Sequence, residues 1–322
     1  MTRNQTQRIP APTAVLIAGP TASGKSSLAI RLAELVDGVI INADSMQIYD
    51  HLSILSARPK PEDMGTIDHR LYGYVDPSER YSVGRWLDDA VEAIRDVRAK
   101  GQCPVLVGGT GLYFKALLEG LNSVPDVPLE IRAYWMAEQQ RLGSPEAMHA
   151  VLAERDPDIA AQLKPADGQR ILRALEILDA TGKSLLEWQK SNDMRHDPAI
   201  VADAMRLVLC PPREDVYRRI EDRFDHMVAL GGIEEAVHMN DLGLDPDLPA
   251  MKAIGVALLW EHAKGELSYE EAIELCKRDT RRYAKRQMTW IRNQMSDWSL
   301  FETAEAAIEY FLIEMEKNKV GN

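Results

Sequence analysis

The chain has 322 residues, of which 45% are hydrophobic and 27% charged, a composition typical of a globular protein and not of a disordered or fibrous one. Residues 1–12 are polar and basic, and no apolar run reaches the roughly eighteen residues of a membrane span, so we expect neither a secretory signal nor a transmembrane helix. Three widely spaced cysteines predict a reducing, cytoplasmic environment without a zinc site, and the net charge of −12 argues against a protein that is basic over its whole surface.

Short apolar runs alternate with helical periodicity in the first half of the chain. Residues 14–18, 39–41 and 104–107 are predicted strands, and an amphipathic helical repeat lies between the second and the third. A fourth strand candidate, residues 206–210, comes much later in the chain. This alternation predicts an α/β fold whose core is a parallel sheet.

The region between the third and fourth predicted strands has a different composition. Residues 124–198 are rich in Ala, Glu, Gln, Leu and Arg and contain few β-branched runs, which predicts a helical insertion. From residue 213 the pattern is helical to the carboxyl terminus, with breaks at 231–232 and 245–249. We therefore expect residues 1–123 to begin a core that residues 199–322 complete.

A phosphate-binding motif follows the first predicted strand. Residues 19–26 read GPTASGKS, which satisfies GxxxxGK[ST] and stands between a strand and a helical pattern, as this motif requires. Its glycines let backbone amides surround phosphate oxygens, Lys25 supplies a positive charge, and Ser26 offers a hydroxyl to Mg²⁺. The motif predicts a bound di- or triphosphate. The residues that we expect to bind it are Gly19, Thr21, Ala22, Ser23, Gly24, Lys25 and Ser26.

The strand-end acid nearest this motif in the sequence is Asp44, which follows the second predicted strand. The carboxyl ends of parallel strands form the ligand crevice of such a sheet, so Asp44, the phosphate loop and Thr110 after the third strand should meet. Asp44 has three possible roles: a magnesium ligand, a base that acts on an acceptor, or the N-cap of a following helix. The spacing of these residues leaves all three roles open.

Basic residues are concentrated near the carboxyl terminus. Between residues 277 and 292 seven basic side chains accompany a single acid, Asp279. Arg278, Arg282, Lys285 and Arg292 recur at helical spacing and predict one basic stripe. Such a stripe either binds a polyanion on a protein that is acidic overall or is an ordinary solvated helix face.

Six blocks of the sequence resemble the bacterial tRNA dimethylallyltransferase family, and they occur in that family's order. They are GPTASGKS at 19–26, NADSMQIY at 42–49, LVGGTGLYFKALLEGL at 106–121, QRILRALEILDATGKSL at 169–185, RIEDRFDHM at 219–227 and TRRYAKRQMTWIR at 280–292. The resemblance implies an enzyme that transfers a dimethylallyl group from dimethylallyl diphosphate to N6 of the adenosine 3′ to the tRNA anticodon. It further implies Mg²⁺ as the cofactor, the tRNA anticodon stem-loop as the partner, and a monomer without membrane contact.

The resemblance also implies roles for individual residues. Asp44 is the base, Thr110 supports it by hydrogen bonding, and Arg223 binds the departing diphosphate beside Lys25. The remaining matched residues and the basic stripe are the expected tRNA contacts. These contacts are Asp44, Ser45, Met46, Gln47, Arg132, Gln169, Arg170, Ile171, Leu172, Arg173, Arg281, Arg282 and Lys285.

The sequence departs from the family pattern after Tyr49. A family glycine is replaced by Leu55 in the segment HLSILSARP at 51–59, which predicts a repacked loop. Three other functions remain possible: transfer of the prenyl group to free AMP or ATP, a small-molecule kinase, and a non-enzymatic RNA-binding protein. The helical insertion and the basic stripe favour tRNA, because a mononucleotide needs neither.

Overall fold

The structure, a computed structural model, describes residues 12–191 and 193–320, with side chains up to residue 317. The chain forms two compact units. The first combines Met1–Glu119 with Pro198–Asn322, and the second is Gly120–Asp197. Within the described ranges no helix is long and apolar enough to cross a membrane.

A six-stranded parallel sheet forms the centre of the first unit. The strands are β1 (Val15–Ala18), β2 (Gly38–Asn42), β3 (His69–Arg70), β4 (Cys103–Gly108), β5 (Met205–Leu209) and β6 (Ser299–Phe301). Their order in the sheet is β3-β2-β4-β1-β5-β6. In register, Val15 of β1 lies between Val105 of β4 and Met205 of β5. All residues of β1, β2 and β4 are buried, as expected for a parallel sheet covered on both faces.

Helices surround this sheet. Those of the first unit are α1 (Lys25–Val36), α2 (Pro61–Met64), α3 (Val83–Ala99), α4 (Gly111–Glu119), α10 (Arg213–Ala229), α11 (Gly232–Asp241), α12 (Val256–Ala263), α13 (Tyr269–Gln294) and α14 (Ala304–Val320). Val15 and Ile17 face a core that includes Leu28 of α1 and Phe311 of α14. The indole of Trp86 in α3 stacks on Tyr113 of α4. Three-residue and four-residue 3₁₀ turns occur at Ala250–Lys252 and Pro198–Val201.

The second unit is a small helical bundle with its own core. Its helices are α5 (Leu129–Leu142), α6 (Pro145–Arg155), α7 (Pro157–Ala160), α8 (Gly168–Thr181) and α9 (Leu185–Lys190). Trp135, Met148, Leu152 and Leu175 pack together at its centre. The Trp135 indole N–H donates to Asp179 Oδ2 at 2.7 Å, so the polar atom of this buried ring is satisfied.

The predicted α/β fold with a parallel sheet is confirmed, and its four predicted strands correspond to β1, β2, β4 and β5. The expectation that everything after residue 213 is helical is wrong. Strand β6 pairs with β5, matching Leu207 with Ser299 and Leu209 with Phe301. Strands of two or three residues, such as β3 and β6, carry too short a pattern for period-two alternation to be recognised.

Candidate active site

The phosphate loop joins β1 to α1. Gly24 ends the loop with φ +93°, a left-handed conformation that glycine adopts without strain, and its carbonyl accepts from Leu28 N at 3.2 Å. Lys25 Nζ donates back to the carbonyl of Pro20 at 3.2 Å. The first amides of α1 have no partner within the helix and carry the positive end of its dipole. The loop is therefore built to receive an anion at the start of α1.

Side chains from distant helices hold this loop in place. Arg219 of α10 donates to the carbonyl of Ser23 at 3.2 Å, and Arg223 of α10 hydrogen-bonds to the Thr21 hydroxyl. Gln287 of α13 accepts from the Thr21 amide at 2.8 Å. Since α10 and α13 both follow the loop by about two hundred residues or more in the chain, only the folded state assembles these contacts.

Asp44 follows β2, and the side chain of Asn42 holds the Asp44 backbone in place. The Asp44 amide donates to Asn42 Oδ1 at 2.9 Å, and Asn42 Nδ2 donates to the Asp44 carbonyl at 3.0 Å. Asp44 Oδ1 accepts from Met46 N at 3.0 Å, which forms an Asx turn. No helix begins within residues 45–60, so the N-cap role for Asp44 is wrong. The Asx turn uses only Oδ1, so the other carboxylate oxygen, Oδ2, is available to a substrate.

Thr110 lies beside this turn. Its hydroxyl accepts from Ser45 N at 3.0 Å and donates to Ser45 Oγ at 3.3 Å, and its amide donates to the Ala43 carbonyl at 3.3 Å. The two loops approach so closely that a Cβ on Gly108 would lie 2.0 Å from the Ala43 carbonyl oxygen. Glycine is thus required at 108 for Thr110 to reach the Asp44 turn, and the predicted meeting of these loops is observed.

Opposite charges face one another across one cavity. Thr21, Asp44, Ser45, Met46 and Arg223 line it together with Leu55 and Tyr283. Burial lowers the pKa of Lys25 to about 8, against the opposing attraction of Asp44, and the charge of Arg223 lowers it slightly further. Burial also lowers the pKa of Arg223, again opposed by Asp44. A desolvated cation pair next to a carboxylate can bind a diphosphate and accept a proton at the same place.

Two phenols adjoin the carboxylate. Burial and the negative charge of Asp44 raise the pKa of Tyr72 and of Tyr283 above the usual range, so both stay neutral at physiological pH. Two neutral phenols therefore lie beside the Asp44 carboxylate.

The donor set at the start of α1 is suited to Mg²⁺. Ser26 is exposed in the first turn of α1, next to Lys25. The described residues contain no group of three or more His, Cys, Asp or Glu side chains that could hold a metal alone. Magnesium at phosphate sites usually takes one or two protein oxygens and completes its shell with phosphate and water. The Ser26 hydroxyl with a bound diphosphate meets that requirement.

The segment after Tyr49 forms one wall of the cavity and is held by a residue that sequence reasoning missed. The Glu235 carboxylate on α11 accepts from the amides of Ser53, Ile54 and Leu55 at 2.8–3.1 Å. Leu55 is buried and packs 3.2 Å from where a Cβ on Gly255 would stand. Leu55 therefore packs inside the loop, the repacking expected there stays a prediction, and Glu235 carried no motif that could have indicated its role.

Gln47 also holds this segment. Its side-chain amide donates to the carbonyls of Ser56 at 3.0 Å and Ala57 at 2.9 Å, so both amide protons are used within the protein. Met46 is among the residues that line the cavity, and Gln47 is not. Of these two predicted tRNA contacts, Met46 is the one whose side chain reaches the cavity.

The basic residues of α13 differ in how accessible they are. Arg281 is only 22% exposed and bridges Glu221 at 2.9 Å and Glu274 at 2.7 Å. Arg282 is 62% exposed, and Lys285 is exposed as well. Arg286, which was not among the expected contacts, is exposed and lines the Asp44 cavity. Arg282 Nη1 lies 3.3 Å from Asp279 Oδ1, yet the side chains of Arg282, Lys285 and Arg286 are more accessible on this face than that of Arg281.

In the second unit the expected tRNA contacts also separate. Gln169 and Arg170 are exposed at the start of α8. Arg132 lies 3.5 Å from Glu176 Oε1, and Arg173 lies 3.5 Å from Oε2 of the same buried carboxylate. The expected contact through the side chain of Ile171 is wrong because Ile171 is fully buried in the core of the unit, and Leu172 packs against that core. A helix presents only part of its surface, so a contiguous motif cannot contact one ligand throughout.

Comparison with known proteins shows which family the chain resembles. The model of the IPP transferase family matches residues 47–294, and that of the isopentenyl transferase family matches residues 12–76. A tRNA dimethylallyltransferase of Nitrobacter hamburgensis is 49% identical over 92% of this chain and 93% of its own length. One from Mesorhizobium japonicum is 51% identical over 88% of each chain.

Two solved structures are also similar to this chain. The full-length tRNA isopentenylpyrophosphate transferase of Bacillus halodurans has a TM-score of 0.66 and 32% identity, over 95% of this chain and 97% of that one. A eukaryotic dimethylallyltransferase acting on tRNA has a TM-score of 0.75 and 29% identity, over 89% of this chain and 73% of that one. The chain is a member of the IPP transferase family, the tRNA dimethylallyltransferases.

Proposed function

We propose that this protein transfers a dimethylallyl group from dimethylallyl diphosphate to N6 of the adenosine immediately 3′ to the anticodon of tRNA, releasing diphosphate. The observation that carries the proposal is the single cavity in which Asp44 faces Thr21 and Arg223, beside the phosphate loop. Membership of the tRNA dimethylallyltransferases supports both the donor and the acceptor. We further propose that it works as a cytoplasmic monomer.

The chemistry follows from this arrangement. The N6 nitrogen forms a bond to the allylic carbon, the bond from that carbon to the diphosphate oxygen breaks, and the N6 proton passes to the Asp44 carboxylate. Lys25, Arg223 and the amides at the start of α1 stabilise the negative charge that grows on the leaving diphosphate. A magnesium ion held by Ser26 would neutralise part of the same charge. Thr110 and Ser45 fix the turn that carries the base.

The acceptor has to be an unstacked base. N6 of an adenine within a duplex is inaccessible to a carboxylate in a cavity, whereas a loop nucleotide can be turned outward. Met46 and Ser45 line the cavity and would contact that base. Arg282, Lys285 and Arg286 are exposed on α13 and would bind the RNA backbone. Gln169 and Arg170 of the second unit are proposed to bind the stem-loop.

The proposal is tested by incubating the protein with unmodified tRNA and dimethylallyl diphosphate and analysing the nucleosides by mass spectrometry. We expect one prenylated adenosine per tRNA, located 3′ to the anticodon. Prenylated AMP formed in preference to prenylated tRNA would indicate the mononucleotide reaction, and ATP turnover without prenyl transfer would indicate a kinase. Either result would overturn the proposal.

A further inference from the structure

The side chain of Gln287 joins two loops of the active site. Its Oε1 accepts from Thr21 N in the phosphate loop at 2.8 Å, and its Nε2 donates to the carbonyl of Gly109, after β4, at 2.8 Å. Gln287 is 6% exposed. A buried carboxamide is costly unless its donor and acceptor are both satisfied, and these two hydrogen bonds satisfy both.

The Gln287 carboxamide lies directly against the backbone of Gly109. A Cβ on Gly109 would lie 2.2 Å from Gln287 Nε2, and 3.4 Å from the Gly19 carbonyl oxygen. Nearby, α10 and α13 pack through Val216, Ile220 and Ala284, and Ala22 of the phosphate loop packs against them. The two hydrogen bonds and the close approach to Gly109 therefore define the orientation of the carboxamide.

The two loops that Gln287 joins carry opposite halves of the proposed reaction. Thr21 belongs to the loop that binds the diphosphate, and its hydroxyl is held by Arg223. Gly109 precedes Thr110, which supports the turn that carries Asp44. The distance between the leaving group and the catalytic base therefore depends on the distance between Thr21 and Gly109.

We propose that Gln287 is a positioning residue that fixes the phosphate loop against the Gly109–Thr110 turn, an inference that rests on the proposed function. With the carboxamide in place, diphosphate bound at the loop keeps the allylic carbon within reach of a nucleophile whose proton Asp44 accepts. Loss of the carboxamide lets the two loops separate, and a displacement of about 1 Å can reduce a rate about 10²-fold. RNA bound on the exposed face of α13 keeps its affinity, because Gln287 lies on the buried face.

Gln287→Met tests this inference, because methionine has a similar length but cannot form either hydrogen bond. We expect kcat to fall about 10²-fold at saturating tRNA, with KM for tRNA within about twofold of wild type. The dissociation constant for inorganic pyrophosphate, measured by calorimetry, should rise about tenfold, because the competent loop is less populated. The matched control is Gln102→Met, which directly precedes β4 at the opposite end of this strand from Gly109 and should leave all three values unchanged.

Gly109→Ala approaches the same contact from the other side. Its methyl group displaces the Gln287 amide, so pyrophosphate affinity and kcat should fall as in Gln287→Met, and this variant replaces Gln287→Met if that protein does not fold. Wild-type pyrophosphate affinity and kcat in either folded variant would overturn the inference. Absence of prenylated adenosine with the wild-type protein would instead refute the proposed function, while the pyrophosphate titration would still decide the role of Gln287.

Discussion

Replacing Asp44 by asparagine removes one charge and one basic site while leaving the local structure intact. The Asx turn survives, because the side-chain oxygen of Asn still accepts from Met46 N, and the bonds between residue 44 and Asn42 involve only the backbone of residue 44. The substitution therefore tests the chemistry of the carboxylate and not the stability of the loop.

The expected magnitudes follow from the neighbours of Asp44. A positioned general base usually contributes about 10²–10⁴ in rate, so kcat for prenyl transfer should fall by that factor. Donor affinity should change much less. Removal of Asp44 takes away a negative charge that repels the diphosphate, and it also removes the charge that raises the pKa of Lys25 and of Arg223, so the two effects oppose one another.

The assay is single-turnover prenyl transfer to tRNA as a function of Mg²⁺ concentration, for wild type and Asp44→Asn. A rate that stays low at saturating metal and RNA supports the role of base. If Asp44 is instead a magnesium ligand, excess Mg²⁺ should restore much of the rate, because the defect is then one of metal affinity. Such a rescue, or a rate close to wild type, would refute the reasoning.

Three further predictions concern charge and loop structure. The pKa of Lys25 is about 8, so its protonated fraction should fall about tenfold from pH 7 to pH 9. The affinity of the wild type for pyrophosphate should fall by the same factor relative to that of Lys25→Arg. The same pH dependence in both proteins would contradict this prediction. In a plot of log affinity for tRNA against log salt concentration, Arg282→Gln with Lys285→Gln should reduce the slope by about 1.5. Arg281→Gln should change the slope little, because the Arg281 guanidinium already bridges two carboxylates. Equal effects of the two changes would contradict this prediction. Glu235→Ala should accelerate hydrogen exchange of the three amides that the carboxylate accepts from by about tenfold or more, and unchanged protection would mean that other contacts hold the loop.

Local patterns were sufficient to predict the four longer strands of the sheet and the phosphate loop. The buried strands read as continuous apolar runs, and GxxxxGK[ST] between a strand and a helix leaves little freedom in backbone geometry. The strand-end positions of Asp44 and Thr110 also place both residues at the crevice. These features depend on residues close together in the chain, so the sequence pattern alone determined them.

Contacts between distant segments could be decided only by the tertiary structure. Gln287 reaches Thr21 across 266 positions, and Glu235 reaches Leu55 across 180. Arg281 and Arg282 look equivalent in the sequence, yet packing of α13 against α10 pairs the first with Glu221 and leaves the second exposed. Neither helical periodicity nor a motif shows which acidic side chain will lie opposite a given basic side chain in the folded protein. Three-dimensional packing sets that pairing. The sequence therefore indicated the chemistry of the site, and the fold determined which residues hold the reacting groups in position.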